Sequence, residues 1–287
     1  MIKMTRKHFL SLAILTAFGA TFSPQSFAQL HLEIAKAPEQ APKIAILPFS
    51  NDQSIYPIVE NDLNRSGRFT SSSQNLPSTN TALNHVDAPA WQAAGVPYVV
   101  LGQVKPTANG NYEVLYQLYD IEKQQFLLNE MLTVPASRIR QAGHMISDAI
   151  FQALTGIAGD FTGRIAYVLR NPATPEQRYT LQIADTDGEQ PRTVLTSRDP
   201  ILSPAWTPDA KKIAYVSFET KRPAIYLQDL ATGQRETLAS FKGLNGAPSF
   251  SPDGKSMLFT ASMHDNPEVY QMDLATRQVQ RLTKDNA

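Results

Sequence analysis

The chain has 287 residues, 42% of them apolar and 18% charged, with 26 basic side chains against 26 acidic ones and no cysteine. That length admits two domains with cores of their own, and the composition is that of a globular protein rather than a disordered one. The balanced charge excludes the Lys/Arg-rich footprint that nucleic acid requires, and the missing cysteine excludes disulfides, thiolate catalysis and Cys-ligated metal.

Residues 1–28 do not belong to the fold. Lys3, Arg6 and Lys7 make a basic start, residues 9–22 are apolar, and Ser26-Phe27-Ala28 has the small-x-small pattern of a cleavage site. The apolar run is shorter than the roughly 20 residues that a membrane span needs. A Sec signal peptide cut after Ala28 is therefore expected, with export to the periplasm and no membrane-spanning segment in the mature chain. Losing its three cations leaves that chain slightly acidic.

Leu30, Leu32 and Ile34 alternate with Gln29, His31 and Glu33, which reads as a short strand able to pair with a free sheet edge. Residues 35–42 follow as a linker. The continuous apolar run at 43–49 predicts a buried strand, and 57–63 predicts a helix that closes near Gly67. Residues 71–84 are polar loop, 91–94 a short helix, and 97–104 a second buried strand. Residues 112–119 and 125–134 have strand composition around the turn residues 120–123, which predicts a hairpin. Ser137 is then expected to cap a helix to about Leu154, whose apolar stripe includes Ile139, Met145, Ile146 and Ile150. Mixed strands and helices over 43–158 imply an α/β domain, and Gly156, Gly159 and Gly163 mark its end. No phosphate-loop or dinucleotide fingerprint follows that glycine cluster.

Beyond Gly163 the sequence copies itself. Ile165-Ala166-Tyr167-Val168 returns as Ile213-Ala214-Tyr215-Val216 and as Met257-Leu258-Phe259-Thr260, at spacings of 48 and 44 residues. Pro204-Ala205-Trp206-Thr207-Pro208-Asp209-Ala210 returns 44 residues later as Pro248-Ser249-Phe250-Ser251-Pro252-Asp253-Gly254. Ile225-Tyr226-Leu227-Gln228-Asp229 and Val269-Tyr270-Gln271-Met272-Asp273 keep the same period. A period in the forties with short strands and no helix predicts propeller blades. Asp209 and Asp253 are expected to hold hairpin turns rather than to act in chemistry, and Trp206 and Phe250 to pack between blades.

These features resemble the TolB family, the periplasmic propeller proteins of the Tol-Pal envelope system. The resemblance runs from the helix 144–150 through Leu154-Thr155-Gly156-Ile157 to Arg164-Ile165-Ala166-Tyr167-Val168, and on through Pro204-Ala205-Trp206, Asn245-Gly246-Ala247-Pro248 and the Ser-Pro-Asp-Gly turn. It implies an α/β N-terminal domain followed by an all-β, partial and open propeller of the six-bladed type over 163–287, with about three blades. The first repeat begins at its second strand, so a truncated product or fragment is expected.

The resemblance also implies a non-enzymatic scaffold that binds the lipoprotein Pal and the inner-membrane protein TolA, in outer-membrane integrity and cell division, with colicin-like toxins as further partners. Loops entering the innermost strands are implied to dock Pal: Ile201, Leu202 and Ser203 in one blade, and Leu244, Asn245, Gly246 and Ala247 in the next. Asn245 would offer its amide, and Gly246 and Ala247 would permit close approach. Gln29, Leu30, His31, Leu32, Glu33 and Ile34 are implied to bind TolA.

No GxSxG, HExxH or Walker pattern occurs, so the competing reading, a fragment of a propeller-containing serine hydrolase, lacks its nucleophile elbow. His31, His85, His144 and His264 are far apart without ligand spacing. Asp185, Asp187 and Gly188 resemble only part of a calcium loop. Neither cofactor nor metal is expected.

Overall fold

A computed structural model describes residues 41–52, 54–71, 76–77, 81–171, 178–264 and 266–284. The expected cleavage at Ala28 and the strip 29–34 lie outside them. In chain order the first region contains β1 (Lys43–Ile46), α1 (Ile55–Arg65), β2 (Thr70–Ser71), α2 (Ala88–Ala93), β3 (Tyr98–Pro106), β4 (Asn111–Asp120), β5 (Gln125–Pro135) and α3 (Ile139–Thr155). Its sheet has the order β2-β1-β3-β4-β5, with β1 parallel to both neighbours and β3, β4 and β5 antiparallel.

The apolar runs of β1 and β3 are explained by burial on both faces. Ile44, Ile46 and Val100 join the core under α1 and α3, whereas Ala45, Val99 and Leu101 pack with Trp91 of α2 on the other face. Each fully buried side chain of this size stabilises by roughly 1.5–3 kcal/mol. Two glycines make room for this packing. A Cβ on Gly102 would stand 2.1 Å from the ring of Phe49, and one on Gly143 would stand 2.9 Å from Ile58, where α3 crosses α1.

The first helix starts two residues before Pro57, which its first turn tolerates, and Asp52 accepts the N–H groups of Ser54 and Ile55 at 2.7 and 3.1 Å. Ser137 does not cap α3. It lies inside a 3₁₀ turn, Ala136–Arg138, that leads into the helix, and no side chain caps either segment. At the other end Gly156 adopts φ 73° and its N–H bonds to Gln152 O at 2.9 Å, a left-handed helix stop.

The repeats form three antiparallel sheets: β6 (Arg164–Asn171), β7 (Arg178–Asp185) and β8 (Arg192–Ser197); β9 (Ile201–Trp206), β10 (Lys212–Ser217), β11 (Ala224–Asp229) and β12 (Arg235–Ala239); β13 (Asn245–Phe250), β14 (Ser256–His264), β15 (Asn266–Asp273) and β16 (Val279–Arg281). As expected, among the described residues the first sheet has no counterpart of the innermost strand of the other two. The middle sheet is buried on both sides. Ile213, Tyr215 and Tyr226 pack with Leu181 and Ile183 of the first sheet, while Ala214, Val216 and Leu227 pack with Met257, Phe259 and Tyr270 of the third. Trp206 and Phe250 pack partly buried against these two cores, as the repeat predicts.

The turns repeat atom for atom. Asp209 Oδ1 accepts the Thr207 hydroxyl at 2.7 Å and the Lys211 N–H at 3.1 Å, and Asp253 Oδ1 does the same with Ser251 and Lys255 at 2.6 and 3.0 Å. Ala210 and Gly254 both take positive φ, 53° and 68°. At the next hairpin Asp229 accepts the Thr232 N–H at 2.8 Å and Asp273 that of Thr276 at 2.7 Å. These bonds, led by the hydroxyls at Asp209 and Asp253 and by the threonine N–H groups at Asp229 and Asp273, hold all four carboxyls below the usual aspartate value. A depressed carboxyl adds stability above its unfolded pKa and loses it as pH falls through the folded one. Denaturant midpoints measured against pH should therefore fall below about pH 4, and the fall should be shallower in the double variant Asp209→Asn, Asp253→Asn.

Candidate functional site

Of the implied Pal-facing residues, Leu244 lies in the turn before β13, whereas Ile201, Leu202 and Ser203 open β9 and Asn245, Gly246 and Ala247 open β13, so these six are strand rather than loop. Both strands carry a bulge at the same repeat position, in the register between Ala214 and Val216 and between Gly246 and Ser249. The bulge residues Ser203 and Ala247 have φ 50° and 49°, and each precedes a proline. Left-handed backbone at a non-glycine residue before proline is strained, and here it recurs at the same position in both inner strands. The bulges leave Ser203 and Ala247 at the surface, beside Leu202 and Leu244, which are 48% and 42% exposed.

Three of the implied residues are inside the protein. Ile201 is 1% exposed, Asn245 is fully buried and Gly246 is buried within β13. The Asn245 amide is not offered outward, because all of its polar atoms are used internally. Its nitrogen donates to Phe241 O at 2.8 Å, Pro223 O at 3.2 Å and Gly243 O at 3.3 Å, and its oxygen accepts the Phe241 N–H at 3.0 Å. Asn245 thus folds the 241–244 turn onto its own strand and ties it to Pro223, just ahead of β11 in the neighbouring sheet. A sequence shows an amide near a strand but not the backbone groups that fold around it.

A second cluster joins residues that are remote in sequence. His144 on α3 is 2% exposed, and its Nδ1 lies 2.7 Å from Oδ2 of the buried Asp62 on α1. Its Nε2 stands 3.7 Å from Asp187 in the β7–β8 turn and has no hydrogen bond. Asp62, His144 and Asp187 could together supply metal-ligand atoms. Their carboxylates are already occupied, however: Asp62 binds Arg65 at 2.8 Å, and Asp187 binds Arg140 and accepts the Glu189 N–H at 3.0 Å. Burial pushes the Asp187 carboxyl up, but the Glu189 N–H and Arg140 outweigh it and hold it below the usual range. The donor set is charge-balanced by arginines and fits a cation poorly. Asp185 also meets Arg140, at 3.4 Å, so the supposed calcium-loop fragment is instead an anchor between α3 and the first sheet. His85 and His264 are exposed and are not members of this cluster.

The architecture is that of a repeat scaffold: an α/β region fixed to the first of three stacked blade-like sheets, which form a partial, unclosed propeller with strand-entry surfaces at its inner edge. Family models agree with both halves. The TolB amino-terminal domain matches residues 30–127 and the TolB beta propeller domain matches residues 151–287. The chain belongs to the TolB family. It is 81% identical over 244 residues to the Tol-Pal system protein TolB of Acinetobacter baylyi, covering 85% of this chain and 57% of that protein. The protein of the same name from Methylococcus capsulatus is 41% identical, over 83% of this chain and 56% of its own length. The crystal structure of TolB from Acinetobacter baumannii superposes with a TM-score of 0.81 at 80% identity, over 90% of this chain and 64% of that one. The chain therefore spans somewhat more than half the length of the curated relatives it matches. Among the described residues no helix is long and apolar enough to cross a membrane.

Proposed function

We propose that the chain is a periplasmic, non-enzymatic scaffold of the Tol-Pal system that binds Pal through the inner-strand entries and TolA through its N-terminal strip, in support of outer-membrane integrity and division. The observation that carries this reading is the 81% identity to a Tol-Pal system protein over most of the chain. The exposed pair Leu202 and Leu244, with the strained bulges at Ser203 and Ala247, gives a partner apolar anchors on backbone held still by two sheets. Ile201, Asn245 and Gly246 support that surface from within.

Titration calorimetry with purified Pal tests the surface. Replacing both Leu202 and Leu244 by Asp should weaken binding by roughly tenfold or more, since a buried apolar anchor contributes on the order of 1–2 kcal/mol. Deleting residues 29–34 should abolish capture of TolA and leave Pal binding intact. Equal loss of both partners would defeat the division of roles.

A further inference from the structure

Both main-chain polar groups of Leu244 end on one residue. Its N–H donates to Ser262 Oγ at 2.7 Å, and its carbonyl accepts the Ser262 N–H at 3.2 Å. Ser262 belongs to β14, so the 241–244 turn is braced twice, by Asn245 from β13 and by Ser262 from β14. The glycine ahead of Leu244 makes room for the hydroxyl. Gly243 takes φ 82°, and a Cβ there would stand 2.3 Å from Ser262 Oγ and 3.1 Å from Ser262 O. Any side chain at 243 would push that hydroxyl off the Leu244 N–H.

The neighbouring repeat shows what this bond replaces. At the same 44-residue period, Pro200 stands at the position of Leu244 and Phe218 at that of Ser262. The backbone bond is kept, with the Phe218 N–H donating to Pro200 O at 3.2 Å. The second bond is missing at both ends, because proline has no N–H to give and phenylalanine no oxygen to take it. In the middle sheet the pyrrolidine ring itself fixes the backbone at the strand entry. In the third sheet leucine gives up that hold on φ and puts a 42% exposed apolar side chain on the surface instead. The Ser262 hydroxyl restores the missing constraint.

We propose that Ser262 is the positioning residue of the Pal-facing surface, its hydroxyl holding the Leu244 backbone so that the leucine side chain is presented in one orientation before the partner arrives. This rests on the reading that Leu244 faces Pal. A turn ordered in advance spares the complex the cost of ordering it on binding. Ser262 acts through Leu244 rather than through contact with Pal. Its bond to Leu244 is exposed, so water replaces it at little cost to the fold. In this it differs from Asn245, whose amide is fully buried.

The full chain and its Ser262→Ala and Ser262→Thr variants are compared by amide hydrogen exchange at Leu244 without Pal, by denaturant midpoint, and by calorimetric titration with purified Pal. Ser262→Ala should speed the Leu244 exchange about tenfold or more and leave the midpoint close to that of the parent. It should weaken Pal binding about fivefold, the cost of ordering one leucine and its turn in the complex. Ser262→Thr keeps the hydroxyl and should restore both the slow exchange and the affinity. Unchanged exchange at Leu244 or parent-like affinity in Ser262→Ala overturns the proposal. So does an affinity loss that Ser262→Thr shares, since the hydroxyl is then not what matters. Replacing Leu202 and Leu244 by Asp separates this inference from the reading beneath it. If that double variant binds Pal as the parent does, the surface itself is misassigned; if it loses Pal while Ser262→Ala does not, only the role of Ser262 falls.

Discussion

Replacing Asn245 by Ala is expected to lower the unfolding free energy by about 2–4 kcal/mol, because a buried group whose partners are also buried leaves them unsatisfied when it goes. The amide is fully buried and makes four hydrogen bonds, one of them across to Pro223, the residue before β11 of the adjacent sheet. Its loss strands the Phe241 N–H and frees the 241–244 turn, on which Leu244 sits. Asn245→Asp should be at least as damaging, since it turns the donating nitrogen into a charged acceptor facing three carbonyl oxygens. Denaturant unfolding measures both, and a midpoint like that of the parent would show that the turn closes without this side chain. The same variant should also weaken Pal binding if Leu244 belongs to that surface, with the binding loss following the loss of turn order.

Gly102→Ala is expected to be worse than an ordinary overpacking change, which costs about 1–3 kcal/mol. The added Cβ would fall 2.1, 2.2 and 2.4 Å from three ring atoms of Phe49, and that ring is fully buried. Nor can the strand give way, because Gly102 is in the middle of β3, paired with Tyr116 of β4. A loss of about 3 kcal/mol or more, or failure to accumulate as folded protein, is the expected result. Phe49→Leu combined with Gly102→Ala should recover part of that loss, which a double-mutant cycle reads as a coupling energy. Strict additivity of the two changes would mean that the clash is relieved elsewhere.

Much of the fold was legible because its signals are local. The turns at Asp209 and Asp253 hold themselves together within five residues, so their sequence alone specifies hairpins. The Ile213-Ala214-Tyr215-Val216 run is apolar throughout because sheets cover both of its faces, and its recurrence marks each blade. At the start of α3 the local signal is not enough: Ser137 has the residue type of a cap, but the chain arrives through a 3₁₀ turn that places it inside the helical stretch.

The candidate sites were less legible. The implied Pal segment mixes surface and interior because a bulge turns Ser203 and Ala247 outward while Ile201 and Asn245 stay in, and alternation in the sequence does not announce a bulge. His144, 82 positions from Asp62 and on a different helix, offered no spacing to recognise.

The order of elements, the 44-residue period and the turn chemistry were decided by the sequence itself, since each rests on atoms within one or two strands. Which polar groups are buried, which meet across the seam between α3 and the first sheets, and which remain without a partner there were decided only by tertiary packing. Distances across that seam depend on how whole elements settle against each other, and no local pattern encodes them.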